Sequence, residues 1–254
     1  MAPFNALILA GSRGEVDPVS AYAGVSHKAL IELGGLTLLE CVVLAVRAAG
    51  AARIAVVTGA APVAELAARL GCEVLPQAPG PSASAAAGLA LLGAPLLVTT
   101  ADHALLRPEW IVDLVSRTRS GADVSALMAR RETIEASAPP MRRTYFRLAD
   151  GDWSGCNLFF LATGRSVGAI HFWQRVEQER KHPWRLARML GAATLLRYVS
   201  GRLSLTQAVE RIGRKAAVSA QVVESPFGLA ALDIDKPDDL DVARSVLLAN
   251  SAGG

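Results

Sequence analysis

At 254 residues, with 52% hydrophobic and 19% charged residues, the chain has enough apolar material for a large core and is too apolar for extensive disorder. A formal net charge of +3 favours small anionic ligands without requiring nucleic acid, and the three cysteines, Cys41, Cys72 and Cys156, are spaced for neither a disulfide framework nor a zinc ribbon. No apolar run reaches the roughly 20 residues of a membrane span, and the opening Met-Ala-Pro-Phe-Asn lacks the basic start of a signal peptide, so the sequence reads as a cytoplasmic protein with reduced thiols.

The elements follow in chain order. Leu7, Ile8 and Leu9 read as a buried strand, followed by a Gly/Ser/Arg turn. Leu36 to Gly50 has helical apolar spacing, and Arg53 to Gly59 reads as a second strand, completing a βαβ unit. Pro62 to Gly71 predicts a helix with Pro near its start and Gly after its end, and Cys72 to Leu75 a short strand. A loop, "PQAPGPSASAAAGL", leads into a helix ending near Gly93, and "APLLVTTADH" reads as a strand running into Asp102 and His103. Repeated crossovers of this kind require parallel strands with helices on both faces, a Rossmann-like three-layer α/β/α sandwich with a mostly parallel central sheet.

Beyond this half, Pro108 to Ser120 predicts a helix, Asp123 to Met128 a strand, and Tyr145 to Leu148 and Asn157 to Leu161 two strands bracketing the turn "ADGDWSG". Residues 165–215 form a basic, helix-rich insertion whose apolar faces either pack onto the sheet or meet an anionic bilayer. A strand near Ala217 to Glu224 follows, and "LAALDIDKPDDLDVARSVLLA" closes the chain as strand, turn and helix. The chain reads as one domain over 1–254, divided into two halves, 1–105 and 106–254, the second carrying the basic insertion.

The turn after the first strand can aim backbone N–H groups at an anion, and Gly11 and Gly14 let the backbone approach it. Arg13 adds a forked cation and Lys28 a point charge, a pairing suited to a polyphosphate. Neither the dinucleotide fingerprint nor the P-loop pattern is present. Asp102 stands where a buried strand emerges at the ligand-binding edge, while His103 reads as a satisfied loop histidine. In "ALDIDKPDDL", Asp233 and Asp235 alternate with period two and share a face, so both stay candidates for a second carboxylate; Asp238 and Asp239 suit the first turn of a helix. Arg142, Arg143 and Arg147 offer cations to a phosphorylated group.

Together "LILAGSRG…HKALIELGG" resembles the N-terminal signature of the MobA-like nucleotidyltransferases, in which L-A-G-x-x-x-R precedes K-x-L-x-x-x-G on a GT-A-like α/β fold. The resemblance implies that Leu9, Ala10, Gly11, Ser12, Arg13 and Gly14 wrap a nucleoside triphosphate and that Lys28 neutralises its charge. It implies that Asp102 and Asp233, with Asp235 as rival, hold Mg²⁺, and that Gly155 and Asn157, the nearest equivalents of a substrate-contacting glycine-asparagine stretch, border an acceptor whose phosphate would suit Arg143. The segment "EVDPVSAYAGVS" replaces the shorter Gly/Met-rich stretch usual before the lysine. Ser84 and Gly88 match the S-x-x-x-G-L element of cytidylyltransferases, which tilts the base toward CTP over GTP. The rival readings are a GT-A glycosyltransferase, which usually carries Asp-x-Asp where this chain has Thr100-Ala101-Asp102, and a non-catalytic nucleotide-binding or membrane-associated module.

Overall fold

The computed structural model describes residues 3–12, 17–137, 139, 143–179 and 181–252. Strand β1 (Phe4–Leu9) is central: its Leu7 and Ile8 are fully buried because the sheet is covered on both faces. Helix α1 (Pro18–Ala23), unforeseen in the sequence reading, is started by Asp17, whose Oδ1 accepts the N–H groups of Val19 and Ser20. A single 3₁₀ turn at Lys28–Leu30 precedes a small hairpin, β2 (Glu32–Leu33) and β3 (Leu36–Thr37), around Gly34 and Gly35, both at positive φ. The helix expected from Leu36 begins later, as α2 (Leu38–Ala48). Thr37 caps it, in a reciprocal box with Glu40.

The expected alternation then runs through β4 (Ala51–Thr58), α3 (Ala61–Arg69), β5 (Glu73–Pro76), α4 (Pro81–Leu92) and β6 (Leu96–Thr100). In the second half come α5 (Pro108–Arg117), β7 (Val124–Arg130), α6 (Arg131–Ser137), β8 (Phe146–Leu148) and β9 (Gly151–Leu161). Among the described residues the basic insertion holds four α-helices, α7 (Val167–Glu179), α8 (Pro183–Leu190), α9 (Ala192–Val199) and α10 (Leu205–Ala216), before β10 (Ala220–Ser225) and α11 (Pro237–Ala252).

Among the described residues the main sheet has eight strands, in the order β10-β7-β9-β6-β1-β4-β5 with β8 attached to β9. β1 lies parallel between β4 and β6, and β10 parallel to β7, while β9 runs antiparallel to both of its larger neighbours. The sheet is therefore mostly parallel, as the repeated crossovers require, with one reversed strand joining the two halves.

Two strand expectations need correction. The turn "ADGDWSG" shrinks to Ala149 and Asp150, because Gly151 to Gly155 enter β9: Trp153 pairs with Phe146 and buries its indole under the Arg130 guanidinium, 4.2 Å from the ring centroid. The closing "LAALDID" is no ladder strand. Gly228 lies so close to the Thr133 carbonyl that a Cβ would sit 2.1 Å from that oxygen, and the chain makes a 3₁₀ turn at Gly228–Ala231 before an extended stretch. That stretch attaches to the sheet edge through the Ile234 N–H, which donates to the Asp102 carbonyl at 3.1 Å.

In the insertion, Phe172 packs with Ala216 and Val218, and Ile170 joins the sheet-facing cluster around Leu7, whereas Trp184 and Leu196 stay exposed. Among the described residues no helix is long and apolar enough to cross a membrane. All three cysteines are unpaired, and burial pushes the Cys156 thiol up to about 12.

Candidate functional site

Leu9 pairs with Thr100 in the parallel β1–β6 ladder, so the loop after β1 and the Asp102 carboxylate leave the sheet side by side. The Ala10 N–H donates to Val57 O at 2.9 Å and the Ala101 N–H to Leu9 O at 3.0 Å, extending the ladders past the strand ends and fixing both exits. This is the carboxyl edge of an open α/β sheet, where ligands bind.

Lys28 reaches this edge from the 3₁₀ turn. Its Nζ lies 2.6 Å from Oδ2 of Asp102 and 3.1 Å from Oδ1 of Asp235, and Thr100 Oγ1 donates to the other oxygen of Asp102. Burial pulls the ammonium's pKa down, but the two carboxylates outweigh burial and hold it well above the ordinary lysine value. A second cluster lies alongside. Asp233 accepts from Arg143 Nη2 at 3.1 Å and from Asn157 Nδ2 at 2.8 Å, and the same guanidinium's Nε donates to Ser154 Oγ at 3.0 Å.

Burial raises the Asp233 carboxyl above its ordinary value; Arg143 and Asn157 oppose that rise, while Asp235 and Asp102 add to it. Three carboxylates thus share two cations. Among the described residues no three His, Cys, Asp or Glu side chains form a metal-holding group on their own. The oxygen-only donors nonetheless fit Mg²⁺, which takes one or two protein carboxylates and completes its shell with phosphate and water. A divalent cation would relieve the negative charge of Asp102 and Asp235 that adds to the burial-driven rise of Asp233.

Of the loop residues, Leu9 and Ala10 form the strand exit, Gly11 and Ser12 lie at the same edge, and Arg13 and Gly14 fall outside the described residues, as does Arg142. Gln77, which sequence reasoning passed over, holds this loop: its Oε1 accepts the Ser12 N–H at 3.0 Å and its Nε2 donates to Ser12 O at 2.6 Å. A Cβ on Gly11 would meet the Gln77 carboxamide at 3.0 Å, so the glycine allows this approach. No motif marks a glutamine in a polar loop. Its only sequence cue is its place just after β5.

Ser84 is buried, and its hydroxyl accepts the Ala78 N–H at 3.3 Å, tying the start of α4 to the residue after Gln77. Gly88 packs against Leu7, where a Cβ would come within 2.3 Å, so helix packing accounts for that glycine. Gly155 pairs with Met128 two residues before Asn157, and a Cβ there would meet only the Met128 sulfur, at 3.9 Å. Asp239 caps the closing turn by accepting the N–H groups of Asp235 and Lys236 at 3.0 and 2.8 Å. His103 departs from its expectation: it is buried and stacked on Trp110, neither ring nitrogen has a partner of hydrogen-bond geometry, and burial pushes its pKa down to about 4.

Beside Arg143 lies a cavity of about 370 Å³ lined by Arg131, Glu135, Arg143, Tyr145, Arg147 and Lys236, among others. Its lining is dominated by cations. The Arg131 guanidinium stands 5.4 Å from the Tyr145 ring centroid.

Residues 6–212 match the MobA-like NTP transferase domain, and the chain belongs to that family and is a nucleotidyltransferase. A hypothetical transferase from Thermus thermophilus is 29% identical, with a TM-score of 0.80 over 94% of this chain and 100% of that one. A nucleotidyl transferase from Methanothermobacter thermautotroptrophicus is 20% identical, with a TM-score of 0.59 over 97% and 98% of the two chains. CMP:2-keto-3-deoxy-manno-octonic acid synthetase, solved in complex with CTP, is 14% identical, with a TM-score of 0.61 over 98% and 100%. These likenesses agree with the GT-A-like sandwich expected from the sequence. No curated protein sequence matches the chain.

Proposed function

We propose that the enzyme transfers a nucleoside monophosphate from a nucleoside triphosphate, CTP in preference to GTP, to a phosphorylated small-molecule or lipid-precursor acceptor, in a Mg²⁺-dependent reaction that releases pyrophosphate. The observation that carries this reading is Lys28 clasped between Asp102 and Asp235, directly beside the exit of β1.

In this reading the loop from Leu9 to Gly14 receives the triphosphate, with Arg13 and Lys28 countering its charge. Gln77 binds both the N–H and the carbonyl of Ser12 and so shapes the loop that receives the phosphates. Asp102 and Asp233 are the carboxylates that would hold Mg²⁺, with Asp235 the alternative to Asp233. Bound there, the ion supplies Lewis-acid stabilisation of phosphate charge.

An oxygen of the acceptor phosphate attacks the α-phosphorus in line, the bond from that phosphorus to the bridging oxygen of the β-phosphate breaks, and pyrophosphate leaves. No protein nucleophile is needed, because positioning and charge stabilisation carry the step. Arg143 and Asn157 orient Asp233 and, with Gly155, border the acceptor, whose phosphate suits the cationic cavity of Arg131, Arg147 and Lys236. The similarity to a synthetase solved in complex with CTP supports the base preference. We place the reaction in the cytoplasm, where nucleoside triphosphates are supplied.

The test is pyrophosphate release from CTP, GTP, ATP and UTP, each with and without Mg²⁺, in the presence of sugar and polyol phosphates. Thermal stabilisation by each nucleotide is followed in parallel. Release with one nucleotide that depends on both metal and acceptor supports the reading. Stabilisation by nucleotide sugars alone would transfer it to a glycosyltransferase, and full turnover by Asp102→Ala would remove its chemical basis.

A further inference from the structure

The helix pair α8–α9 is unusual in what it leaves open. Trp184 is 59% exposed, Leu196 70% and Val199 75%, and Leu195 and Tyr198 are exposed too, so five large apolar or aromatic side chains face solvent within residues 184–199. One side of the pair is anchored: Met189 and Leu190 pack against the cluster of Phe172, Ala216 and Val218. The exposed residues are therefore not a frayed end.

Charge distinguishes this patch further. Residues 180–209 contain Arg180, Lys181, Arg185, Arg188, Arg197 and Arg202 and no Asp or Glu. Arg185 shares its charge with Glu179 at 3.2 Å, but among the described residues no acidic side chain pairs with Arg188, Arg197 or Arg202. The guanidiniums of Arg185 and Arg188 stand 5.0 and 5.9 Å from the Trp184 ring centroid, so an exposed indole is flanked by two cations.

We propose that the α8–α9 pair seats the enzyme on an anionic lipid bilayer, with Trp184, Leu196 and Val199 entering the interface and Arg188, Arg197 and Arg202 meeting lipid phosphates. An interfacial helix needs apolar side chains at the acyl boundary and cations at headgroup level, and tryptophan suits the layer between. A second copy of the chain fits the same face poorly, because pairing the patch with itself would set arginines against arginines.

The seat would also be oriented. The pair follows α7, whose Glu177 accepts the Ser82 hydroxyl and lies against Gly80, at the loop that continues from Gln77 into α4. Membrane contact through α8–α9 would thus bring this face of the nucleotide-side loop toward the bilayer. The proposal is independent of the nucleotidyl-transfer chemistry argued above.

The test is co-sedimentation of the full chain with vesicles of phosphatidylcholine alone and of phosphatidylcholine mixed with phosphatidylglycerol, at low and high salt, with tryptophan emission recorded. Binding only to the phosphatidylglycerol vesicles is expected, with a blue shift that Trp184→Ala reduces and with loss of binding at high salt. Reversing two cations, Arg188→Glu with Arg197→Glu, should lower the partition coefficient by at least about thirtyfold. Leu196→Asp with Val199→Asp should abolish binding while leaving pyrophosphate release from soluble substrates unchanged, since both residues are exposed and distant in sequence from the site. No binding to anionic vesicles, or equal binding by the charge-reversed variant, would overturn the proposal. A concentration-dependent dimer dispersed by Leu196→Asp would overturn it in favour of self-association.

Discussion

Lys28 Nζ lies 2.6 Å from Oδ2 of Asp102 and thereby joins the turn after the β1 loop to the end of β6. The same ammonium reaches Asp235 at 3.1 Å, so it also holds the closing segment. Lys28→Ala should lower kcat by about 10²- to 10³-fold, the usual loss when one preorganised charge stabiliser is removed. It also leaves Asp102 and Asp235 without their shared cation. Mg²⁺ should therefore raise the Tm of Lys28→Ala more than that of the parent, which a metal titration followed by thermal unfolding measures. Because the folded-state pKa of Lys28 is raised, its contribution to stability is fully present below the free-lysine value of about 10.4 and is lost only as pH rises beyond it. An alkaline activity limb at lower pH would belong to another group.

Asn157 supplies the second geometric constraint. Its φ of 48° lies in the left-handed region, which asparagine tolerates better than most residues, and its Nδ2 donates to Asp233 at 2.8 Å. Asn157→Gly keeps the backbone and deletes the donor, whereas Asn157→Ala deletes the donor and adds strain, so the alanine variant should be less stable by about 1 kcal/mol. Both should lose activity equally. Both should also move the acid limb of kcat/KM to higher pH, because the lost hydrogen bond was lowering a carboxyl already raised by burial. Chemical denaturation and a pH–rate profile of the pair separate the structural effect from the electrostatic one.

Gln77 makes a different kind of contribution. It grips both backbone polar groups of Ser12, so Gln77→Ala should free the loop and raise the KM for the nucleotide several-fold with little change in kcat. Steady-state kinetics at saturating acceptor decides this. A lowered KM would instead mean that the carboxamide competes with phosphate for the Ser12 N–H.

These residues also show how far the sequence carries. The alternation from β1 to β6 is legible because Pro and Gly punctuate it and because strands buried on both faces read as continuous apolar runs. Asp102 is legible because it stands at the end of such a run, and Lys28 because it is a lone lysine at the far end of the loop after β1. Gln77 is not, since its role is a contact with a loop 65 residues away and leaves no periodic trace. Nor is the division of labour between Asp233 and Asp235: period-two spacing puts them on one face, but the partners, Arg143 and Asn157 for one and Lys28 for the other, arrive from distant elements. The closing segment reads as a strand from its composition, and tertiary crowding at Gly228 turns it instead. The backbone hydrogen bond from Ile234 to Asp102 could not be foreseen from local pattern.

Asp123 tests the joint between the two halves of the sheet. Its carboxylate accepts the Ser219 N–H at 2.8 Å and the Thr163 hydroxyl at 2.7 Å, tying the start of β7 to the entry of β10 and the exit of β9. The Ser219 and Thr163 donors hold its pKa below the ordinary aspartate value. That stabilisation is present above the unfolded-state value of about 3.9 and disappears as pH falls through the folded-state value. Asp123→Asn should therefore cost about 1–3 kcal/mol near neutrality and much less once the parent carboxyl is protonated. Urea denaturation of both proteins across the acid range would show the two stabilities converging.

Gly88 shows how packing under the sheet controls the nucleotide side. A Cβ there would lie 2.3 and 2.6 Å from the two δ-carbons of Leu7 and 3.0 Å from its γ-carbon, and Leu7 has no solvent exposure into which it could swing. Gly88→Ala must push α4 away from β1, at a cost of about 1–3 kcal/mol for an overpacked core. The displaced helix carries Ser84, which holds Ala78, and Gln77 next to it holds Ser12, so the shift should reach the phosphate loop and raise the nucleotide KM as well. Trimming the obstruction distinguishes this route from a general loss of stability. Leu7→Ala alone opens a cavity and destabilises, but combined with Gly88→Ala it makes room for the new methyl, so the double variant should be more stable than the sum of the two single losses predicts. It should also recover part of the nucleotide KM. Additive losses with an unrecovered KM would mean that Gly88 serves the nucleotide directly rather than through its contact with Leu7.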